Sequence, residues 1–330
     1  MALSWKCVGM AVCVAACTSS TFGQSEFLVV DYDGDKIVRY EWPSGLVKDH
    51  FVGTGLTNLN APYKAVYGPD GDLYVSGTLS NNVQKYNGQT GQSLGEIISP
   101  GAGGLSTPLG LTFGVDNMLY ICSGTNDRVK RWDPNTGVVS DFIVPGNNLD
   151  NPHDLAQASN GDWYVTSYNN DRVLRYSASG AYVEDAIVAG AFGLDGPIGC
   201  VVDPQNRLFV ASEISDKLLV KDLTTGGVSQ FVASGVGGLD RPYFLSLGPE
   251  PDVLYTVGFR GTAQFLKFNR NTGTFLGTYL SPGTGGLSNG AVAVAFVPDI
   301  EPCYADCDNN GNLNIFDYIC FGNAYTIGCP

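Results

Sequence analysis

An all-β fold, a six-bladed propeller of four-stranded blades, is what this sequence predicts, and three observations predict it. A passage of about 45 residues recurs six times along the chain. Each copy holds four short apolar runs separated by turn residues. No copy carries a helical period over a useful length. Short strands at even spacing, four to a repeat, are the pattern of small sheets arranged radially about an axis.

The clearest copy spans Trp163 to Arg207, and the others start at Phe27, Asp72, Met118, Leu208 and Leu254. The first run is rich in Tyr, Phe and Val, as in LYVSG from Leu73, LYICS from Leu119 and WYVTS from Trp163. Such residues suit a pleated, buried surface. A polar turn follows, for example Asn169-Asn170-Asp171. In the second run, apolar and charged residues alternate: KIVRY ending at Tyr40, RVKRW at Trp132, RVLRY at Tyr176. That period of two marks a strand with one buried face. Next comes a hairpin turn, clearest in Asp133-Pro134-Asn135-Thr136-Gly137. Proline presets φ early in such a turn and glycine takes the left-handed position that ends it. The third run is weaker, as in DFIV from Asp141.

A Gly-rich crossover ending in leucine then leads on, as in Gly103-Gly104-Leu105, Gly237-Gly238-Leu239 and Gly285-Gly286-Leu287. These precede strands rather than helices, so they read as backbone turns and not as phosphate loops. The fourth run begins near a proline: Pro108, Pro152, Pro197 or Pro242. The chain enters the array at Phe27 with a first-type run and leaves it through a fourth-type run, Ala291 to Asp299. The last strand is therefore expected to complete the blade begun by the first three, which closes the ring and removes an open edge.

Pro108-Leu109-Gly110-Leu111 and Asn126-Asp127-Arg128-Val129-Lys130-Arg131-Trp132 resemble the NHL-repeat class of six-bladed propellers, and the resemblance covers roughly Phe27 to Asp299. The repeats are also similar to gluconolactonase and streptogramin-lyase propellers. That second resemblance implies metal-dependent enzymes.

Three domains are expected: a signal peptide at 1–23, the propeller at 27–299 and a tail at 300–330. Lys6, the apolar run Cys7 to Cys17 and small polar residues up to Gln24 read as an export signal, too short to span a membrane. Val14-Ala15-Ala16-Cys17 resembles a lipobox, so lipidation of Cys17 is a second possibility for the N-terminus. No other stretch is long enough to cross a bilayer. The formal net charge of −14 disfavours nucleic acid, which wants a basic patch, equally disfavours anionic membranes and fits a plain role in solubility.

Of nine cysteines, three precede the cleavage point. Cys122 and Cys200 fall in strands about two blades apart and are expected to be buried free thiols. Cys122 has no His near it in sequence, which leaves a nucleophilic role unsupported. Cys303, Cys307, Cys320 and Cys329 crowd the tail and are expected to form two disulfides, with three possible connectivities.

The tail also carries a calcium-loop spacing. Side-chain oxygens stand at loop positions 1, 3 and 5 (Asp306, Asp308, Asn310), with Gly311 at the sharp turn. Asn312 offers its carbonyl, Asn314 a further oxygen, and Asp317 closes the sphere at position 12. A hard cation needs such a set of oxygens. No helix precedes the loop and its last ligand is Asp. With the Cys-Tyr-Ala-Asp-Cys-Asp start, this looks like a dockerin repeat, present once where dockerins carry two. That resemblance implies docking onto a cohesin-like or cell-surface partner.

Functional residues of a propeller are expected on the face formed by the turns between first and second runs and by the crossovers. Asp31, Asp33, Ser123, Ser167, Tyr168, Glu213 and Arg260 fall there, beside the strand starts Tyr63, Lys64, His153, Asp154, Tyr243 and Phe244. His153-Asp154 stands out because other copies place Leu109-Gly110 and Ile198-Gly199 at that point. A His beside an Asp at a channel mouth can act as a base, bind metal or contact a ligand. Against metal chemistry, the chain holds only His50 and His153, and His50 falls on an outer strand. Tyr63, Tyr168, Tyr243 and Phe244 can line an aromatic surface for glycan or peptide, or pack as core. The expected function is an exported recognition or scaffold propeller with a calcium-binding attachment tail and no organic cofactor. The alternative is a metal-dependent hydrolase or lyase acting at the channel mouth.

Overall fold

The computed structural model of the chain describes residues 26–55, 58–260 and 264–298. The expected signal at 1–23 with Cys17, and the tail at 300–330 with its loop Asp306–Asp317 and four cysteines, lie outside the described residues. Within them, all 24 strands fall into six four-stranded antiparallel sheets. The helical elements are six three-residue 3₁₀ turns, and no described helix can cross a membrane.

The inner strands are Pro62–Tyr67, Pro108–Phe113, Pro152–Gln157, Pro197–Val202, Pro242–Leu247 and Ala291–Phe296. Each packs against the inner strands of both neighbours, so together they form a closed ring around the axis. Five begin at a proline, which fits a first strand position whose N–H makes no ladder bond. The second strands, such as Leu73–Gly77 and Trp163–Ser167, are buried along their whole length. Outer strands, such as Val47–Val52 and Tyr182–Ile187, are largely exposed at their starts. This gradient explains the sequence pattern: unbroken apolar runs in the second strand and weak ones outermost.

Blade I is built from both ends of the chain. Ala291–Phe296 pairs antiparallel with Glu26–Asp31, with Phe27 opposite Phe296 and Val29 opposite Val294. The closure expected from the phase of the repeat is thus present. Asp31, fully buried, fastens it: its carboxylate accepts the Ser288 amide at 2.8 Å and the Ser288 hydroxyl, and it lies 3.7 Å from the Lys36 ammonium.

The polar turns of the repeat are blade-to-blade latches. Asp35, Asn81, Asp127, Asp171 and Asp216 adopt φ of 49–57°, a left-handed conformation that Asn and Asp tolerate. Each offers a side-chain oxygen to the amide just before the next inner strand, that of Ala61, Thr107, Asn151, Gly196 or Arg241, at 2.7–2.8 Å. The crossover leucines Leu59, Leu105, Leu149, Leu194, Leu239 and Leu287 are all buried. Cys122 and Cys200 are buried free thiols, as expected.

Candidate functional site

The crossovers and the turns between second and third strands share one face of the disc, and the inner strands start there. At the second position of those strands stand Tyr63, Leu109, His153, Ile198, Tyr243 and Val292; at the third stand Lys64, Gly110, Asp154, Gly199, Phe244 and Ala293. The two glycines are spacers. A Cβ on Gly110 would lie 2.4 Å from the His153 carbonyl and 2.6 Å from the Asp154 carboxylate. On Gly199 it would lie 2.4 Å from the Tyr243 carbonyl. The missing side chains let the next strand close in and place His153-Asp154 and Tyr243-Phe244 on the axis.

Two separate networks result. In the upper one, His153 Nδ1 lies 2.5 Å from the Tyr63 hydroxyl, which has the Tyr243 hydroxyl as a further partner. The Tyr168 ring stacks on His153, with centroids 4.6 Å apart and planes 28° apart. Tyr168 donates to Glu213 at 3.0 Å, and Arg241 donates to the same carboxylate at 2.6 Å. Phe244 and Tyr243 stand edge-on to Tyr63 at 5.1 and 5.7 Å. Together these rings close the channel mouth. Tyr63, His153, Tyr243, Phe244 and Glu213 are all buried, and of the four candidate aromatics only Tyr168 keeps part of its ring in solvent.

Below this layer lies the second network. Lys64 Nζ is 2.5 Å from Asp154 Oδ1 and 5.0 Å from the centroid of the Phe244 ring. Asp154 is fully buried; its other oxygen accepts the Cys200 amide at 3.0 Å. Lys64 therefore faces away from the mouth, toward the opposite side of the disc, where it lines a cavity. Asp31, Ser123 and Ser167 are framework groups. Both serine hydroxyls accept crossover amides, from Ser106 at 2.9 Å and Asp150 at 2.8 Å.

Burial sets the charges. It pulls His153 down from the ordinary 6.5 to about 3, so the imidazole is neutral. It pushes Tyr243 up to about 12 and raises Tyr63 and Tyr168 as well. Burial also raises Asp154, against the pull of Lys64. For His153 the native state refuses a proton that the unfolded chain takes up below 6.5. Stability therefore falls with pH from 6.5 toward 3, by about 1.4 kcal/mol per unit at most. His153→Gln is expected to lack this component, so that urea unfolding of the two proteins diverges below pH 6.5. Parallel pH profiles would contradict it. Asp154, whose shift has the opposite sign, is common to both proteins.

The rim of the mouth was only partly foreseen. Arg260 pairs with Asp33 at 2.6 Å and lies over the Phe259 ring at 4.7 Å, with half its side chain exposed. Arg241, Tyr32, Phe259 and exposed Ile214 complete the rim and carry no repeat-level signal. Arg241 could have been found as the one cationic residue preceding an inner-strand proline. Among the described residues, no three His, Cys, Asp or Glu side chains gather at a spacing that holds a metal ion. The expected candidates Asp154, His153 and Glu213 each belong to a different pairing.

No protein-family profile matches the chain, and no curated protein matches it either. Solved structures do. Virginiamycin B lyase from Staphylococcus aureus aligns with TM-score 0.57 at 17% identity over 76% of this chain and 79% of its own. A streptogramin B lyase structure gives 0.59 at 16% identity over 78% and 84%. A chain of the nidogen/laminin complex gives 0.66 at 15% identity over 82% and 97%. One of these names denotes a binding complex and two denote enzymes, and at such identities the likeness is one of fold: a six-bladed propeller similar to both.

Proposed function

We propose that this protein is an exported recognition propeller whose mouth-side face contacts a glycan or peptide and whose tail attaches it to a partner. The supporting observation is that the polar groups at the mouth are already engaged with one another within a closed layer of rings. What a partner meets is a shallow surface of Tyr168, Ile214 and the exposed tips of Arg241 and Arg260. Arginine and tyrosine are the residues that most often carry contact energy at interfaces. Arg260→Glu together with Ile214→Asp, both exposed, is expected to weaken capture of a wild-type-selected glycan or acidic peptide by about tenfold or more. Unchanged capture removes this face from the reading.

The tail at 300–330 acts in this reading as a dockerin-like, calcium-binding attachment to a cohesin-like or cell-surface partner. Asp306, Asp308, Asn310, Asn314 and Asp317 supply side-chain oxygens and Asn312 its carbonyl. The protein is secreted, periplasmic or at the cell surface, with the leader at 1–23 removed; lipidation of Cys17 is the alternative anchor. Calorimetry on the oxidised full chain is expected to give one calcium-binding event that Asp306→Ala and Asp317→Ala abolish. No heat at millimolar calcium would refute it.

The second reading is a hydrolase or lyase of the gluconolactonase or streptogramin-lyase type, favoured by the position of His153 at the mouth. Turnover of a lactone or ester that His153→Ala abolishes without unfolding the protein would establish it over the recognition role.

A further inference from the structure

The face opposite the mouth opens into the axis. Two adjoining cavities of about 390 and 360 Å³ lie there, both lined by Lys64, Val201 and Leu245. Each is within the size range of small-molecule sites. Leu155 continues the wall of one; Val294 and Ala295 continue the wall of the other. Among the residues lining either cavity, Lys64 is the only charged one. Its counter-ion Asp154 lines neither cavity, is fully buried, and is held on its far oxygen by the Cys200 amide. The ion pair therefore presents its positive pole to an open well whose other lining residues are uncharged and partly aliphatic. The aromatic layer of Tyr63, Tyr243 and Phe244 closes the well from above.

We propose that this well is a binding site for a small amphiphilic monocarboxylate, its head on the Lys64 ammonium and its apolar chain along Leu155, Val201, Leu245 and Val294. An ammonium has three donors, and Asp154 occupies one of them. A carboxylate at the remaining donors makes a charge-assisted hydrogen bond. A cationic head would meet Lys64 with like charge. The site is on the opposite face from the proposed recognition surface and stands or falls independently of it.

Calorimetric titration of the full chain with hexanoate, octanoate and octylamine tests this. Octanoate is expected to bind one to one, about tenfold or more tighter than octylamine. It should also bind tighter than hexanoate, by roughly fourfold for each added methylene. Val201→Trp, which puts an indole at the wall shared by the two cavities, is expected to weaken octanoate binding by about tenfold or more. The double variant Lys64→Met/Asp154→Asn should lose the preference for the anionic head. Arg260→Glu, on the other face, should change nothing. No octanoate binding, equal binding of octylamine, or unchanged binding in Val201→Trp overturns the proposal. If Val201→Trp does not fold, the charge and chain-length series on the natural protein decides the matter alone.

Discussion

A chain ended after Leu287 is expected to lose the cooperative unfolding of the intact ring and to self-associate, whereas one ended after Pro298 should keep the unfolding transition and the elution volume of the full chain. The missing segment is the inner strand Ala291–Phe296, whose first five residues are buried. Full burial of side chains the size of Val292 and Val294 stabilises by about 1.5–3 kcal/mol each, and Phe296 is partly buried beside them. Their loss is a large share of the margin of roughly 5–15 kcal/mol that holds a domain folded. Removal also bares the strand Glu26–Asp31, buried along nearly its whole length, as an open apolar edge. Asp31→Ala is the milder version. It strands the Ser288 amide and leaves the Lys36 ammonium only the Gly286 carbonyl, with the strand in place, so about 3 kcal/mol should be lost. Urea unfolding and gel filtration read both. Equal midpoints for the two truncated chains would show that the clasp does not hold the ring.

Lys64→Met is expected to cost about 3–5 kcal/mol, because it leaves the Asp154 carboxylate fully buried without its cation. The reverse substitution should be far milder. Asp154→Asn keeps an oxygen for the Cys200 amide, and the Lys64 side chain can turn its ammonium toward the cavity below. Lys64→Met/Asp154→Asn should therefore recover most of what Lys64→Met loses, a coupling of about 2 kcal/mol or more in a double-mutant cycle. Additive losses would mean that the pair is no unit and that Asp154 is held by its amide bonds alone.

The fold was legible because it is repeated. Six copies of one pattern gave the blades, the prolines marked the inner strands, and the unmatched runs at Phe27 and Ala291 gave the clasp. The latches were half legible. Asn and Asp stood out as turn formers, but their bond crosses to the next blade, from Asp171 to Gly196 for example. The site was legible residue by residue and not as a whole. His153 and Tyr63 are 90 positions apart, and Asp33 and Arg260 are 227 apart. No spacing rule links such pairs; only closure of the ring does. Lys64 and Asp154 adjoin Tyr63 and His153 in sequence, yet both pairs fall where strand pairing shifts register, between Pro62 and Ala65 and between Pro152 and Leu155. The repeat pattern does not announce that irregularity, nor that Lys64 and Asp154 belong to a different network, a step below the mouth. Gly110 and Gly199 looked like the ordinary residues from which His153-Asp154 departs; they are what makes room for it.

The polar groups at the mouth are engaged with one another rather than gathered around a metal position. The direct test is calorimetric titration of manganese and magnesium into the tail-silenced variant Asp306→Ala/Asp317→Ala. No saturable binding is expected, with Glu213 held by Tyr168 and Arg241, and His153 by Tyr63. Saturable uptake that disappears in His153→Ala or Glu213→Gln would contradict it and make the mouth a metal centre.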